Sequence, residues 1–213
     1  MLEEHPVKKL IVFRYLSQKH IDEFFESGRL RLSAFSEFAK HKDEQRFDAQ
    51  EGWLIVDIHG KGQRLMARAG VGFDAYILST SLRGNAELMN VFGTDGYFKI
   101  NDADSFAVAV ADRITSCAGG LAGSCIYANE REIHQRMGEL LDRAIERNEQ
   151  GKMNLMRVVQ LIKVALVPEA YFWKLLCHAH QQEFRFVWHV GHKVNEPLFI
   201  ECPEALQFCE KVT

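Results

Sequence analysis

The chain has 213 residues, of which 47% are hydrophobic and 26% are charged, and this composition is typical of a globular protein. Its formal net charge of −3 leaves no surplus of basic residues to neutralise a phosphate backbone, so a dedicated DNA-binding or RNA-binding protein is not expected. No uninterrupted apolar stretch approaches the ~18 residues that a membrane-spanning helix needs, so no membrane partner is expected either.

The first half of the sequence predicts strands separated by one helix and one polar loop. "KKLIVFRYL" (8–16) has the β-branched and aromatic content of a strand, and the residues after it predict a helix that begins at Ser17 and ends near Gly28. "WLIVDIHGKGQRLMARAG" predicts a hairpin that turns at residues 60–62. The loop before this hairpin is acidic and contains Asp43, Glu44, Asp48 and Glu51.

The second half mixes short strands and helices without a regular period. "AYILSTSL", "GYFKI", "QQEFRFVWHV" and "EPLFIE" are predicted strands, and "NAELMNVFG" and "ADSFAVAVADRI" are predicted helices. Residues 129–166 place apolar residues at helical spacing among charged ones and predict a helical insertion. The irregular mixture favours an α+β fold, and the absence of a linker favours a single domain over residues 1–213.

Three of the predicted strands carry polar side chains where apolar ones are expected. Alternate residues of a strand share a face, so Arg14 lies in an apolar row, and Ser79 and Ser81 share one face of "AYILSTSL". The late strand is predicted to carry three polar residues on one face: Gln181, Glu183 and Arg185. Burying an unpartnered charge or hydroxyl costs roughly a few kcal/mol, so these groups should meet one another or a ligand. We expect one polar pocket lined by the three strands.

The order of an arginine on the first strand, Ser-Thr-Ser on a middle strand and Gln-x-Glu on a late strand resembles the ADP-ribosyltransferase superfamily, in its Arg/Ser/Glu branch. The resemblance implies mixed, mainly antiparallel sheets around a cleft, with flanking helices. It also implies NAD as a substrate, because these enzymes split NAD and pass ADP-ribose to an acceptor.

The same resemblance implies a role for each polar residue. Glu183 is the implied catalytic residue, Ser79 contacts the nicotinamide ribose, and Gln181 orients the acceptor. A carboxylate beside the ribose would stabilise the oxocarbenium ion that develops as nicotinamide leaves. Glutamine at position 181 supplies no second base, which favours a weak nucleophile such as an asparagine or glutamine side chain. The implied NAD-binding set is Arg14, Tyr15, Ser79, Thr80, Ser81 and Arg185.

The same stretches are also similar to a widespread bacterial family of unknown function. Its members open with a Tyr-x-Ser strand, continue with a Ser-x-Ser strand and a Leu-Met-Trp helix, and end on Glu-x-Arg. Asn90 stands where that tryptophan is expected. The Arg, Ser and Glu positions of this family fall where the transferase triad would lie, so the two resemblances support each other.

The leading interpretation is therefore NAD-dependent ADP-ribosyl transfer to a macromolecular acceptor, by an intracellular toxin or a phage-defence effector. The alternative is a non-catalytic module on the same fold that binds a nucleotide or a protein. NAD hydrolysis and RNA 2′-phosphate transfer stay open as related chemistries, although the second would need more basic residues around the pocket. The sequence leaves the acceptor and the oligomeric state open.

No metal site is predicted. The spacing in the acidic loop fits no known calcium loop, and Cys177, His178 and His180 lack a second ligand pair at zinc spacing. The five cysteines are scattered and form no C-x-x-C pair, which indicates reduced thiols. Because the N-terminus also lacks the features of a signal peptide, we expect a cytoplasmic protein.

Overall fold

The computed structural model describes residues 9–38, 52–166 and 168–212. Within these ranges the chain is a mixed α+β protein whose sheets are mainly antiparallel, which confirms the α+β class and the antiparallel character of the predicted sheets. The acidic loop with Asp43, Glu44, Asp48 and Glu51 lies outside the described residues. No helix in the described ranges is both long enough and apolar enough to cross a membrane.

The strands are numbered in chain order. They are β1 (Val12–Leu16), β2 (Arg29–Ala34), β3 (Trp53–His59), β4 (Arg64–Gly70), β5 (Ala75–Ser81), β6 (Gly96–Ile100), β7 (Cys117–Ser124), β8 (Ile126–Ala128), β9 (Glu132–Arg136), β10 (Trp173–Leu175), β11 (Glu183–Val190), β12 (Leu198–Glu201) and β13 (Cys209–Lys211). The helices are α1 (Gln18–Ser27), α2 (Phe35–Phe38), α3 (Ala86–Phe92), α4 (Ala103–Ala111), α5 (Glu139–Ile145) and α6 (Leu155–Ala165). Three short 3₁₀ helices cover Pro168–Phe172, Leu176–Gln181 and Pro203–Phe208.

The first helix begins and ends where the sequence predicts. Ser17 is the N-cap residue, but its hydroxyl lies 3.0 Å from His20 Nδ1 instead of capping a backbone N–H. Gly28 ends α1 in the left-handed conformation, with φ of 74°. A Cβ at this position would lie 2.5 Å from the backbone of Cys202, so both the conformation and the close approach require glycine.

The main sheet contains eight strands and packs on the largest core of the protein. Its order is β12-β2-β5-β1-β6-β13, and β11 pairs with both β5 and β7. The alternate residues Phe184, Phe186 and Trp188 of β11 point into the core, where they meet aromatic and aliphatic side chains of β6 and α4. This burial explains the apolar half of the "QQEFRFVWHV" pattern.

The main sheet forks beside β5. One edge of β5 pairs with β11 over its whole length, from Ala75 to Ser81. The other edge pairs with β2 near the start of the strand, at Ile77, and with β1 at its end, at Ser81. Ser79 lies between these two pairings, so its backbone is at the point where β1 and β2 diverge.

A three-stranded sheet of order β4-β3-β9 forms a second region with its own small core. The predicted hairpin is present as β3 and β4, which pair from Trp53–Gly70 to His59–Arg64. Residues 129–166, expected to be a helical insertion, contain α5 and α6 but also β9, which pairs in parallel with β3. Val56 and Ile58 of β3 pack against α5 and α6 through Leu141 and Leu161. The segment thus supplies the third strand of this sheet and the two helices that pack against it.

Candidate active site

Ser79 and Glu183 meet on one face of the main sheet. Register pairs Glu183 with Ser81 and Arg185 with Ser79, and residues that pair across two strands share a face. Glu183 Oε1 accepts hydrogen bonds from Ser79 Oγ at 2.7 Å and from Arg185 Nε at 2.6 Å. Strands β5 and β11 thus bring together two residues of the predicted triad, and Arg185 joins them.

Lys174 is the most important residue that the sequence analysis missed. It lies in β10, is buried, and donates hydrogen bonds from Nζ to Glu183 Oε2 and, at 2.7 Å, to Gln181 Oε1. Its only sequence signal is a lysine inside the apolar run "YFWKLL". A buried lysine is rare without a charged partner, so this signal could have indicated a carboxylate nearby.

Glu183 is a buried carboxylate between two cations. It is 5% exposed and Arg185 is 0% exposed. Burial alone would raise the pKa of Glu183, but the charges and hydrogen bonds of Arg185 and Lys174 outweigh it and hold the pKa well below its ordinary value. The carboxylate is therefore ionised at neutral pH.

Arg14 reaches this region from the fork in the sheet. Its Nη1 donates to the carbonyl oxygen of Ser79 at 2.5 Å. Register pairs Phe13 with Ser81, so the side chain of Arg14 leaves β1 on the face opposite to Glu183. The expectation of one pocket lined by side chains of all three strands is therefore corrected for Arg14, which contacts the backbone of Ser79 where β1 and β2 diverge.

Gln181 does not belong to the strand that was predicted for it. It ends the 3₁₀ helix Leu176–Gln181, and Gln182 then turns the chain with φ of 42° before β11 begins at Glu183. The predicted alternation of Gln181 with Glu183 on a strand is therefore wrong. Lys174 nevertheless brings the two side chains together, because its ammonium group bonds both.

The remaining hydroxyls of the set hold backbone segments. Thr80 Oγ1 donates to the carbonyl of Phe184, and Ser81 Oγ donates to the carbonyl of Gln181, both at 2.8 Å. Tyr15 Oη donates to the carbonyl of Arg83 at 2.8 Å and accepts from the backbone N–H of Asn85 at 2.9 Å.

A second tyrosine, Tyr127, was missed by the sequence analysis. Its Oη accepts from the backbone N–H of Glu183 at 2.7 Å, and burial raises its pKa above the ordinary value. It fixes the start of β11, which is the position from which the Glu183 side chain leaves the backbone.

The cysteine and histidine segment that was weighed for zinc is not a strand. Cys177, His178 and His180 lie in the 3₁₀ helix Leu176–Gln181, where His180 Nδ1 lies 3.0 Å from the carbonyl oxygen of Cys177. Within the described residues, a group of side chains that could hold a metal ion occurs elsewhere, on the β4-β3-β9 sheet.

Comparison with known proteins gives no relative: no protein-family model, curated protein or solved structure matches the chain.

Proposed function

We propose that this chain transfers ADP-ribose from NAD to a macromolecular acceptor, with Glu183 as the catalytic residue. One observation carries the proposal: a buried, ionised glutamate accepts a hydrogen bond from Ser79, whose carbonyl is held by Arg14, so that three strands contribute to one connected polar group. The same three residue types in the same strand order are what the family resemblance leads one to expect.

The proposed reaction breaks the C1′–N bond between the nicotinamide ring and its ribose. Nicotinamide leaves as a neutral molecule, and the positive charge that remains on the ribose is stabilised by the carboxylate of Glu183. The acceptor attacks C1′ and loses a proton to solvent. Ser79 fixes the orientation of the carboxylate, and Arg14, from the opposite face of the sheet, holds the backbone carbonyl of Ser79.

The hydrogen bonds that Glu183 already makes limit which of its carboxylate oxygens a ribose hydroxyl can bond. Oε1 is bonded by Ser79 and Arg185, and Oε2 by Lys174. A ribose hydroxyl therefore has to share Oε2 with the ammonium group of Lys174 or displace it. Gln181, bonded to the same ammonium group, would then be released toward the acceptor.

The same closed set of bonds favours a second candidate, a non-catalytic module that binds a nucleotide or a protein. In this case Lys174 and Arg185 stay on Glu183, and the ion pairs serve to fix β10 and β11. The two functions differ in whether NAD is cleaved.

The test is nicotinamide release from NAD by the purified protein, with and without cell lysate. Glu183→Gln removes the charge that stabilises the transition state and should slow nicotinamide release by about 100-fold or more. Ser79→Ala, which leaves both ion pairs intact, should slow it by roughly tenfold. Glu201→Gln, at an exposed position of β12, is the matched control and should leave the rate unchanged.

Glu183→Gln leaves two buried cations without their carboxylate, so its folding must be checked by a melting curve, and Ser79→Ala carries the test if Glu183→Gln unfolds. Release that is absent in the wild-type protein overturns the transferase proposal. A rise in melting temperature with NAD, but without release, supports the nucleotide-binding module instead.

A further inference from the structure

The outer face of the β4-β3-β9 sheet carries a cluster of three metal-binding side chains that the proposed function does not use. Along β3, Val56 and Ile58 point into the core, so Asp57 and His59 lie on the other face. Register places His134 of β9 directly beside Asp57 in the parallel pair. Two strands far apart in sequence thus bring one carboxylate and two imidazoles to one place.

The three side chains converge on a single oxygen atom. Asp57 Oδ2 lies 2.7 Å from His59 Nε2 and 3.0 Å from His134 Nδ1, and the three potential ligand atoms all lie within 4.8 Å of one another. The Asp57 side chain is 1% exposed, whereas those of His59 and His134 are 43% and 64% exposed. The cluster therefore has a buried carboxylate at its base and an open side toward solvent.

We propose that Asp57, His59 and His134 bind a divalent transition-metal ion of the zinc type, with a water molecule as the fourth ligand. In a tetrahedral site with bonds of about 2.0 Å, neighbouring ligand atoms lie about 3.3 Å apart. The observed N···O distances of 2.7 and 3.0 Å are shorter than this value by roughly 0.6 and 0.3 Å, so the side chains have to rotate apart to make room for the ion. Two imidazoles and one carboxylate select zinc-like ions over magnesium or calcium, which prefer oxygen ligands.

Metal binding requires a change of tautomer that the surroundings support. In the metal-free protein each imidazole donates an N–H to Asp57 Oδ2, because a carboxylate oxygen can only accept. The metal takes the lone pair of that nitrogen, so the proton moves to the other nitrogen of each ring. Glu132 Oε1 lies 3.8 Å from His134 Nε2, on the side of the ring where a carboxylate commonly orients a metal-bound histidine.

Arg64 sets the strength of the site. Its Nε donates to Asp57 Oδ1 at 2.7 Å and its Nη2 to Oδ2 at 3.0 Å. This guanidinium orients the carboxylate and neutralises it while no metal is bound, but its positive charge also weakens the attraction for a cation. Replacing it with a neutral donor, as in Arg64→Gln, should therefore strengthen metal binding, which a purely structural role of the cluster does not predict.

The experiment is calorimetric titration of the full chain with Zn²⁺, together with the visible absorption spectrum of the Co²⁺ form. We expect one equivalent of Zn²⁺ per chain and a Co²⁺ spectrum without thiolate charge-transfer bands. His134→Gln removes an exposed ligand with little risk to folding and should weaken binding by about tenfold or more. His192→Gln, at an exposed position outside the cluster, is the matched control and should bind as the wild-type protein does.

Three outcomes overturn the proposal. They are no binding of Zn²⁺ by the folded protein, binding that is unchanged in His134→Gln, and thiolate bands in the Co²⁺ spectrum, which would move the metal to cysteines. A rise in the melting temperature of the wild-type protein with Zn²⁺ that is lost in His134→Gln supports it independently.

Discussion

The two regions of this protein each bury a carboxylate on a sheet face, but they surround it with different donors. Glu183, on the main sheet, is bonded by Arg185, Lys174 and Ser79. Asp57, on the β4-β3-β9 sheet, is bonded by Arg64 and two imidazoles. Hydrogen bonds from Arg64 lower the pKa of Asp57, and two cations lower that of Glu183, so both groups are ionised at neutral pH.

Because its donors are buried, the site around Glu183 is called the closed site, and the site around Asp57, whose imidazoles reach solvent, is called the open site. The cations on Glu183 are buried and held in ion pairs, so they can be displaced only by a ligand that brings its own polar groups. The imidazoles on Asp57 are half-buried or exposed, and a neutral imidazole can present a ring nitrogen lone pair to a metal ion once its N–H lies on the other nitrogen. The two proposals follow this difference, since they assign a polar organic substrate to Glu183 and a metal ion that arrives from solvent to Asp57.

The strongest way to break the closed site is Arg185→Met. This substitution leaves Glu183 buried with one cation fewer and removes a 3.0 Å hydrogen bond to the carbonyl of Tyr171. Breaking a buried ion pair from one side is expected to lower the free energy of unfolding by about 3–5 kcal/mol. Urea denaturation followed by circular dichroism measures this value.

Arg113→Met is the matched control, because Arg113 pairs with Glu204 at the protein surface. Its effect should be much smaller, because solvent screens an exposed ion pair. If the two substitutions destabilise the protein equally, the charges around Glu183 are not buried as described, and the contrast between the closed and open sites fails.

A second prediction tests whether the two regions are separate units of stability. Leu141 of α5 is fully buried against Val56 and Ile58, in the small core beneath the β4-β3-β9 sheet. Leu141→Ala should lower the free energy of unfolding of this region by about 3 kcal/mol through loss of burial and a residual cavity. Hydrogen exchange should show faster exchange in β3, β9 and α5 than in β5 and β11. Equal acceleration in both regions would show instead that they unfold together.

The sequence predicted most elements because each has a strong local signal. The hairpin of β3 and β4 follows from alternation and the turn at residues 60–62, and α1 follows from its periodicity and Gly28. Strand alternation also predicted that Ser79 and Ser81 share a face. The start of β11 was misjudged because the turn at Gln182 depends on a backbone conformation that an L-residue rarely adopts and that sequence does not announce.

The partners of the two carboxylates could not be predicted in the same way. Lys174 lies on a three-residue strand, β10, and bonds Glu183 from there. His134 meets Asp57 because β9 pairs in parallel with β3, although five strands and two helices separate these two strands in the sequence. Such contacts depend on which strands become neighbours, and a single sequence contains no local signal for that. The position of Arg14 at a fork in the sheet depends on topology in the same way.

A third prediction concerns how the free energy of unfolding depends on pH in the wild-type protein and in Asp57→Asn. The pKa of Asp57 in the folded protein lies below its ordinary value of 3.8, so the unfolded chain binds more protons between these two values. The stability that Asp57 contributes is therefore fully present above about pH 5 and is lost as the pH falls below about 4. Asp57→Asn should show a flatter decline of unfolding free energy in acid than the wild-type protein. Parallel curves would mean that Asp57 is not held by Arg64 in solution.

The smallest expected effect is that of removing the Tyr15 hydroxyl, which supports the fold, and it is compared with removal of the Ser79 hydroxyl, which bonds Glu183. Tyr15 was expected to contact NAD, but its hydroxyl bonds the backbone of Arg83 and Asn85 in the loop after β5. Tyr15→Phe should therefore lower the free energy of unfolding by about 1 kcal/mol and leave nicotinamide release unchanged. Ser79→Ala removes a hydrogen bond of similar length and should have the opposite effect, with slower nicotinamide release and little change in the free energy of unfolding. Measuring melting temperature and release on both variants decides the matter, because a loss of release in Tyr15→Phe equal to that in Ser79→Ala would return Tyr15 to the NAD-binding set.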